Sequence, residues 1–174
     1  MDGAGRGTRN RGDILELPKR KNMRLKNYDY SQNNAYFITI CTQNKQHLFG
    51  EIVGATLCGR PNNPDKVMGK WLIETQNKFE NVKIDKFIIM PNHVHIIMLL
   101  TGDHTGSPLP QIVDWYKTMT TNEYIRGVKN GLFVPFDKRL WQRSFHDHII
   151  RGETEYLKIW QYIDENPIEW TEDK

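Results

Sequence analysis

Two apolar runs stand out along the chain, Phe87-Ile88-Ile89-Met90 and Val94 through Leu100, with Pro91-Asn92 between them. Each is too short for a separate helix and too rich in Ile, Val, Phe and Leu for a loop. The pattern predicts two buried strands joined by a tight turn. Alternation along the second run puts His93, His95, Ile97 and Leu99 on one face and Val94, Ile96, Met98 and Leu100 on the other. Two imidazoles thus stand side by side at the start of a strand that is otherwise apolar. Buried polar groups without partners cost about 1–3 kcal/mol each. Two solutions stand at this point: a bound divalent metal, or a pair of hydrogen-bonded histidines at a sheet end.

The flanking elements follow from the same patterning. Tyr36 to Thr42 is β-branched and aromatic almost throughout, which predicts a strand. Leu48 to Val53 reads as a short second one. Asn63-Pro64-Asp65 pairs a cap residue with a first-turn proline, and Met68, Trp71, Leu72, Thr75 and Phe79 recur behind it at helical spacing. A second helix starts near Leu109, with the stripe Leu109, Ile112, Val113, Tyr116 and Met119. Residues 101–108 and 127–138 read as loops. Phe145 to Ile150 alternates as a strand does. Glu153 to Glu165 reads as a helix with core positions Tyr156, Ile159, Trp160 and Ile163, closed by Pro167. Strands mixed with three helices around a central hairpin predict an α+β fold, an antiparallel sheet with its helices packed on one face.

Composition narrows the class. The 174 residues suit one domain, 28–174, behind an arm of residues 1–27 rich in Gly, Arg and Asn. No apolar run approaches the ~20 residues of a membrane span, and the N-terminus lacks the apolar core of a signal peptide. Cys41 and Cys58 form no Cys-x-x-Cys pair, which argues against a zinc ribbon or disulfide scaffold and points to the cytoplasm. A net charge of +3 permits a nucleic-acid partner without requiring one. Its distribution is more telling, because the arm is basic and residues 138–145 interleave Lys138, Arg139 and Arg143 with Trp141 and Phe145. That mixture suits single-stranded nucleic acid, where phosphates and base faces are both exposed. It equally suits an ordinary solvated surface. Lys117, Arg139, Trp141 and Arg143 are the candidate contacts.

On the last helix, Tyr162 falls about 110° from the centre of the apolar stripe, on a flank able to face a cleft. Asn166 follows four residues later on the same flank. A phenol beside a carboxamide could complete a metal-dependent nucleophilic site with His93 and His95. A surface aromatic and a C-terminal cap would look the same. His146-Asp147-His148 is a second His-x-His and the internal competitor for a metal.

Met90-Pro91-Asn92-His93-Val94-His95 is similar to the HUH signature, two histidines around a hydrophobic residue, of single-tyrosine transposases. Leu140 to Phe145, Asp147 to Arg151 and Tyr162-Ile163-Asp164-Glu165-Asn166-Pro167 resemble the downstream blocks of REP-associated tyrosine transposases. Arg24 to Tyr30 and Tyr36 to Asn44 resemble their opening. The likeness runs over roughly residues 20–170. It implies a ferredoxin-like α+β fold of the HUH endonuclease type. His93 and His95 match the metal-binding histidines, Tyr162 the nucleophile and Asn166 the third protein ligand. The implied enzyme is a DNA transposase, a Mg2+- or Mn2+-dependent endonuclease and strand transferase acting on single-stranded or hairpin DNA through a 5′-phosphotyrosine. Tyr116 and Tyr124 are rival nucleophiles, since related transposases carry theirs on a helix soon after the HUH strand. The resemblance gives His146 and His148 no ligand role. Two other readings stay open: a replication-initiator or relaxase-type nickase, and a hairpin-binding protein that does not cut. Monomer and homodimer are both compatible, and a cytoplasmic, nucleoid-associated location is expected.

Overall fold

Strands β1 (Asn34–Cys41), β2 (Val82–Met90), β3 (His93–Leu100) and β4 (His146–Ile150) form one sheet in the order β2-β3-β1-β4, antiparallel throughout. Helix α1 (Pro64–Lys78) joins β1 to β2, α2 (Leu109–Lys129) joins β3 to β4, and α3 (Glu153–Glu169) follows β4. The computed structural model describes residues 34–50, 64–101 and 108–169. The basic arm and residues 51–53 of the expected second strand lie outside them. Leu48 and Phe49 of that segment are buried but do not form a strand, because both amides donate to the Pro91 carbonyl. Among the described residues, no helix is long and apolar enough to cross a membrane.

Each βαβ unit straddles one strand. β1–α1–β2 encloses β3, and β3–α2–β4 encloses β1, which is the ferredoxin-like arrangement. It puts β3, the histidine strand, in the interior of the sheet with a partner on each side.

The sheet is apolar on both faces. Tyr36, Ile38, Ile40, Val94, Ile96, Met98 and Leu100 pack under α1 and α2 with Met68, Leu72, Ile112, Val113 and Tyr116. On the other face Phe37, Ile88, Ile97, Leu99 and Ile150 pack under Tyr156, Ile159 and Ile163 of α3. The expectation of helices on one face therefore holds for α1 and α2 and fails for α3. β3 has no face that could be left in water, so the second face needed a cover of its own. Pro167 does not close α3 either. It lies inside the last turn, where its missing N–H costs one hydrogen bond near the helix end.

Where α2 ends, Gly127 lies directly under the ring of Phe133. A Cβ added there would fall 2.1 to 2.8 Å from three ring carbons. Gly127→Ala gains about 1 kcal/mol of helix propensity but overpacks a ring that packs at a tilt on Tyr124, a strain of about 1–3 kcal/mol. The expected net effect is a lower urea midpoint at unchanged slope. A raised midpoint would show that Phe133 moves aside freely.

Candidate active site

Alternation along β3 turns His93 and His95 to the α3 face, opposite Cys41 and Thr39 of β1 and opposite Met90 and Ile88 of β2. His95 is only 5% exposed, and its Nδ1 lies 2.8 Å from the Thr39 hydroxyl. Phe37, two residues earlier on β1, stacks on the same imidazole with ring centres 5.1 Å apart. His93 is half-buried at the strand's start, and its Nδ1 donates to the Asn92 carboxamide oxygen at 2.6 Å. A carboxamide oxygen only accepts, so Nδ1 carries the proton and Nε2 of a neutral His93 presents a lone pair.

The two Nε2 atoms face each other at 3.0 Å. Burial pushes His93 down to about 4, helped by the Lys45 ammonium. Burial, with His93 adding to it, pushes His95 to about 3. Both rings are neutral near pH 7, the form that binds metals. Two arrangements of the Thr39 hydroxyl are then open. If it donates to His95 Nδ1, His95 Nε2 donates to His93 and the pair is satisfied internally. If it accepts instead, two lone pairs converge, and a cation between them relieves the repulsion. An octahedral divalent ion with ligands about 2.1 Å away spaces adjacent donors about 3 Å apart, which matches the pair.

α3 brings Tyr162 to this spot. Its hydroxyl lies 3.4 Å from His95 Nε2, and its ring meets Phe37 and His95 edge-on with centres 6.0 and 5.4 Å away. The residue is 44% exposed, so one side of the phenol remains open to an incoming molecule. Asn166 sits one turn later on the same helix, half-buried. Among the described residues no three His, Cys, Asp or Glu side chains converge on one point.

The rival tyrosines are elsewhere. Tyr116 is fully enclosed under the opposite face, its hydroxyl on the Met68 carbonyl, and burial pushes its phenol far up. Tyr124 donates to the Leu48 and Val134 carbonyls, and burial pushes it up to about 12. His146 and His148 are exposed on the edge strand β4, His148 paired with Glu155 at 2.7 Å, and do not join His93 and His95.

The 138–145 segment runs past the same end of the sheet. The Gln142 amide donates to the Cys41 carbonyl at 2.9 Å, and Cys41 pairs with His93. A groove of about 410 Å³ separates this segment from α2, with Lys138, Arg139 and Arg143 along it. Arg139 and Arg143 are exposed. Trp141, expected as a DNA contact, is not available for one. It is 4% exposed, its indole donates to Thr120 at 2.9 Å and its ring packs on Phe49. Lys117 is likewise engaged, its ammonium on the Gln142 and Arg143 carbonyls at 2.7 and 3.0 Å. It braces the segment rather than reaching out from it.

Thr39, Asn92 and Phe37 hold the imidazoles, and sequence reasoning singled out none of them. Asn92 was legible as the residue before His93, although it reads as a turn residue. It does both jobs, since its amide also donates to the Lys45 carbonyl at 3.4 Å.

Comparison with known proteins places this architecture. An uncharacterized protein of Haemophilus influenzae is 35% identical over 167 residues, covering 89% of this chain and 92% of its own. The structure of a REP-associated tyrosine transposase bound to a REP hairpin superposes with a TM-score of 0.56 at 18% identity, covering 84% of this chain and 73% of that one. A transposase-like protein from Deinococcus radiodurans superposes with a TM-score of 0.51 at 17% identity, over 83% of this chain and 98% of that one. These two share the fold. The model of IS200-like transposases matches residues 38–166, from within β1 to the residue one turn beyond Tyr162. On that extent, which takes in both histidines and the tyrosine facing them, the chain belongs to the IS200-like transposase family.

Proposed function

We propose that this chain cleaves and rejoins single-stranded, hairpin-forming DNA through Tyr162, in the manner of the REP-associated tyrosine transposases. His93, His95 and Asn166 would hold a divalent cation, Mg2+ or Mn2+. The observation that carries the reading is the Tyr162 hydroxyl 3.4 Å from His95 Nε2, across 67 residues of sequence. The 3.0 Å separation of two neutral imidazole nitrogens supports the cation.

In this reading the Tyr162 oxygen attacks the scissile phosphorus and the bond to the 3′ oxygen breaks. The proton given up by the phenol is balanced by one taken up on the departing oxygen, which leaves as a free 3′-OH. The 5′ phosphate stays on Tyr162 as an ester. A second 3′-OH reverses the step and releases the tyrosine, so strand exchange needs no nucleotide cofactor. When bound, the cation acts as a Lewis acid on the phosphate. The chain's own residues supply the geometry. Thr39 and Asn92 engage the two Nδ1 atoms, so both Nε2 atoms point into one space. Phe37 backs both His95 and Tyr162. The Asn166 carboxamide is one turn from the phenol, on the same flank.

Arg139 and Arg143, with Lys138, are the exposed cations for the phosphate backbone. Binding to a hairpin-bearing single strand is expected to fall with salt at a slope of about −0.7 per phosphate neutralised. Arg139→Ala and Arg143→Ala should each flatten that slope by about the same increment. Fluorescence anisotropy at several salt concentrations measures it, and unchanged slopes would move the DNA path elsewhere.

Cleavage itself is tested by incubating the protein with labelled hairpin-bearing single strands, with and without Mg2+, on a denaturing gel. A cation-dependent protein–DNA band is expected. Binding without any such band would reduce the protein to a hairpin binder.

A further inference from the structure

Consecutive residues of a regular strand point to opposite faces of the sheet. β2 breaks that rule at one place. Ile84 pairs with Met98 and Lys86 with Ile97, so Asp85 is an extra residue in the ladder, a β-bulge. As a result two neighbours of opposite charge both reach α3. The Asp85 carboxylate accepts a hydrogen bond from the Tyr156 hydroxyl. That bond, with burial behind it, pushes the Tyr156 phenol up to about 12, so it remains a donor at neutral pH. Lys86 pairs with Asp164 at 2.6 Å, and its ammonium also lies over the Trp160 ring.

The partners on the helix are spaced by four residues. Tyr156, Trp160 and Asp164 drift along one flank of α3, while Tyr162 and Asn166 lie on the other, with Ile159 and Ile163 between them against the sheet. An apolar stripe sets how deeply a helix sits but resists rolling and sliding weakly, because dispersion contacts are not directional. Hydrogen bonds and close ion pairs are. A side chain ends about 5–6 Å from a helix axis, so a roll of about 20° moves it about 2 Å. An error of about 1 Å in a reacting group can cost about 100-fold in rate.

We propose that the bulged pair Asp85–Lys86 positions the helix that carries Tyr162, fixing its roll and axial register from the flank opposite the phenol. Asp85 and Lys86 are positioning residues, acting on chemistry through Tyr162 without touching DNA or metal. The inference rests on Tyr162 being the nucleophile. The Lys86 side chain is only 13% exposed but Asp164 is 54% exposed, so Lys86→Met leaves behind a carboxylate that water still solvates and no buried charge without a partner. The loss of the pair should therefore show in geometry and rate before it shows in folding.

The test compares Lys86→Met, which keeps the aliphatic stem and removes the charge, with Lys86→Arg. Three quantities are read: the single-turnover rate of adduct formation at saturating DNA and Mg2+, hairpin affinity, and the fluorine resonance of 3-fluorotyrosine at position 162 in DNA-free protein. Lys86→Met should lower the rate at least tenfold, leave hairpin affinity and melting temperature unchanged, and shift or broaden the fluorine line. Lys86→Arg should restore both rate and line. Lys86→Asp combined with Asp164→Lys should recover rate relative to Lys86→Asp alone. An unchanged rate or an unmoved fluorine line in Lys86→Met overturns the proposal. So does a rate that falls in step with thermal stability and is not restored by arginine. The fluorine signal does not depend on cleavage. An adduct that survives Tyr162→Phe would instead strike at the nucleophile assignment beneath this inference, so the two failures are distinguishable.

Discussion

Tyr162→Phe is expected to abolish the proposed covalent adduct while folding and hairpin binding survive. The substitution removes one oxygen from a side chain that is 44% exposed, so its effect on stability stays within about 0.5 kcal/mol. The ring keeps its edge-on contacts with Phe37 and His95, whose centres are 6.0 and 5.4 Å away. Losing the proposed nucleophile has no such cushion, and the cleavage rate should fall by at least about three orders of magnitude. Adduct trapping on denaturing gels reads the chemistry, and hairpin anisotropy reads binding on the same preparation. Should the adduct persist, the nucleophile is another tyrosine, although the carbonyls of Met68, Leu48 and Val134 already hold the hydroxyls of Tyr116 and Tyr124. Should hairpin binding vanish together with cleavage, Tyr162 is a structural residue.

His95→Ala fails for a different reason. It removes one of two Nε2 donors standing 3.0 Å apart, so Mn2+ affinity measured by titration calorimetry should fall at least about 100-fold. Cleavage should fall with it and recover in part at high Mn2+. The substitution also orphans the Thr39 hydroxyl beneath it, a cost of about 1–3 kcal/mol that calls for a parallel melting curve. Thr39→Val gives the graded companion. It keeps the imidazole but frees its Nδ1, and should weaken Mn2+ about 10- to 100-fold with a smaller loss of rate at saturating metal. Mn2+ affinity unaltered by His95→Ala would end the metal reading and leave the histidines as a hydrogen-bonded pair.

The hairpin β2–β3, the facing of His93 and His95 and the flank position of Tyr162 were all legible, because each depends on a short-range period. What crosses the chain was not. Thr39 reads as one more β-branched strand residue until the β1–β3 register sets it opposite His95. Trp141 reads as a base-stacking aromatic among cations. Its burial depends on Thr120 of α2 and Phe49, which local sequence does not bring near. The bulge at Asp85 leaves no mark in the hydrophobic pattern, since Asp85-Lys86 looks like two ordinary surface charges. Putting all helices on one face overlooked what the alternation already implied. The histidine face of β3 continues into Ile97 and Leu99, and that side needed a helix if Tyr162 was to meet His95.

The two-sided sheet ties the proposed catalysis to colloidal behaviour. The split crossovers cover one face with α1 and α2 and leave Phe37, Ile88, Ile97, Leu99 and Ile150 for α3 to cover. A descendant that discarded α3 to silence cleavage would bare an apolar patch between β2 and β4, the outer strands of the described sheet, a surface prone to aggregate. Natural loss of activity in this lineage should therefore erode single side chains such as Tyr162 while the helix itself is retained, so inactive relatives would keep the outline of the enzyme.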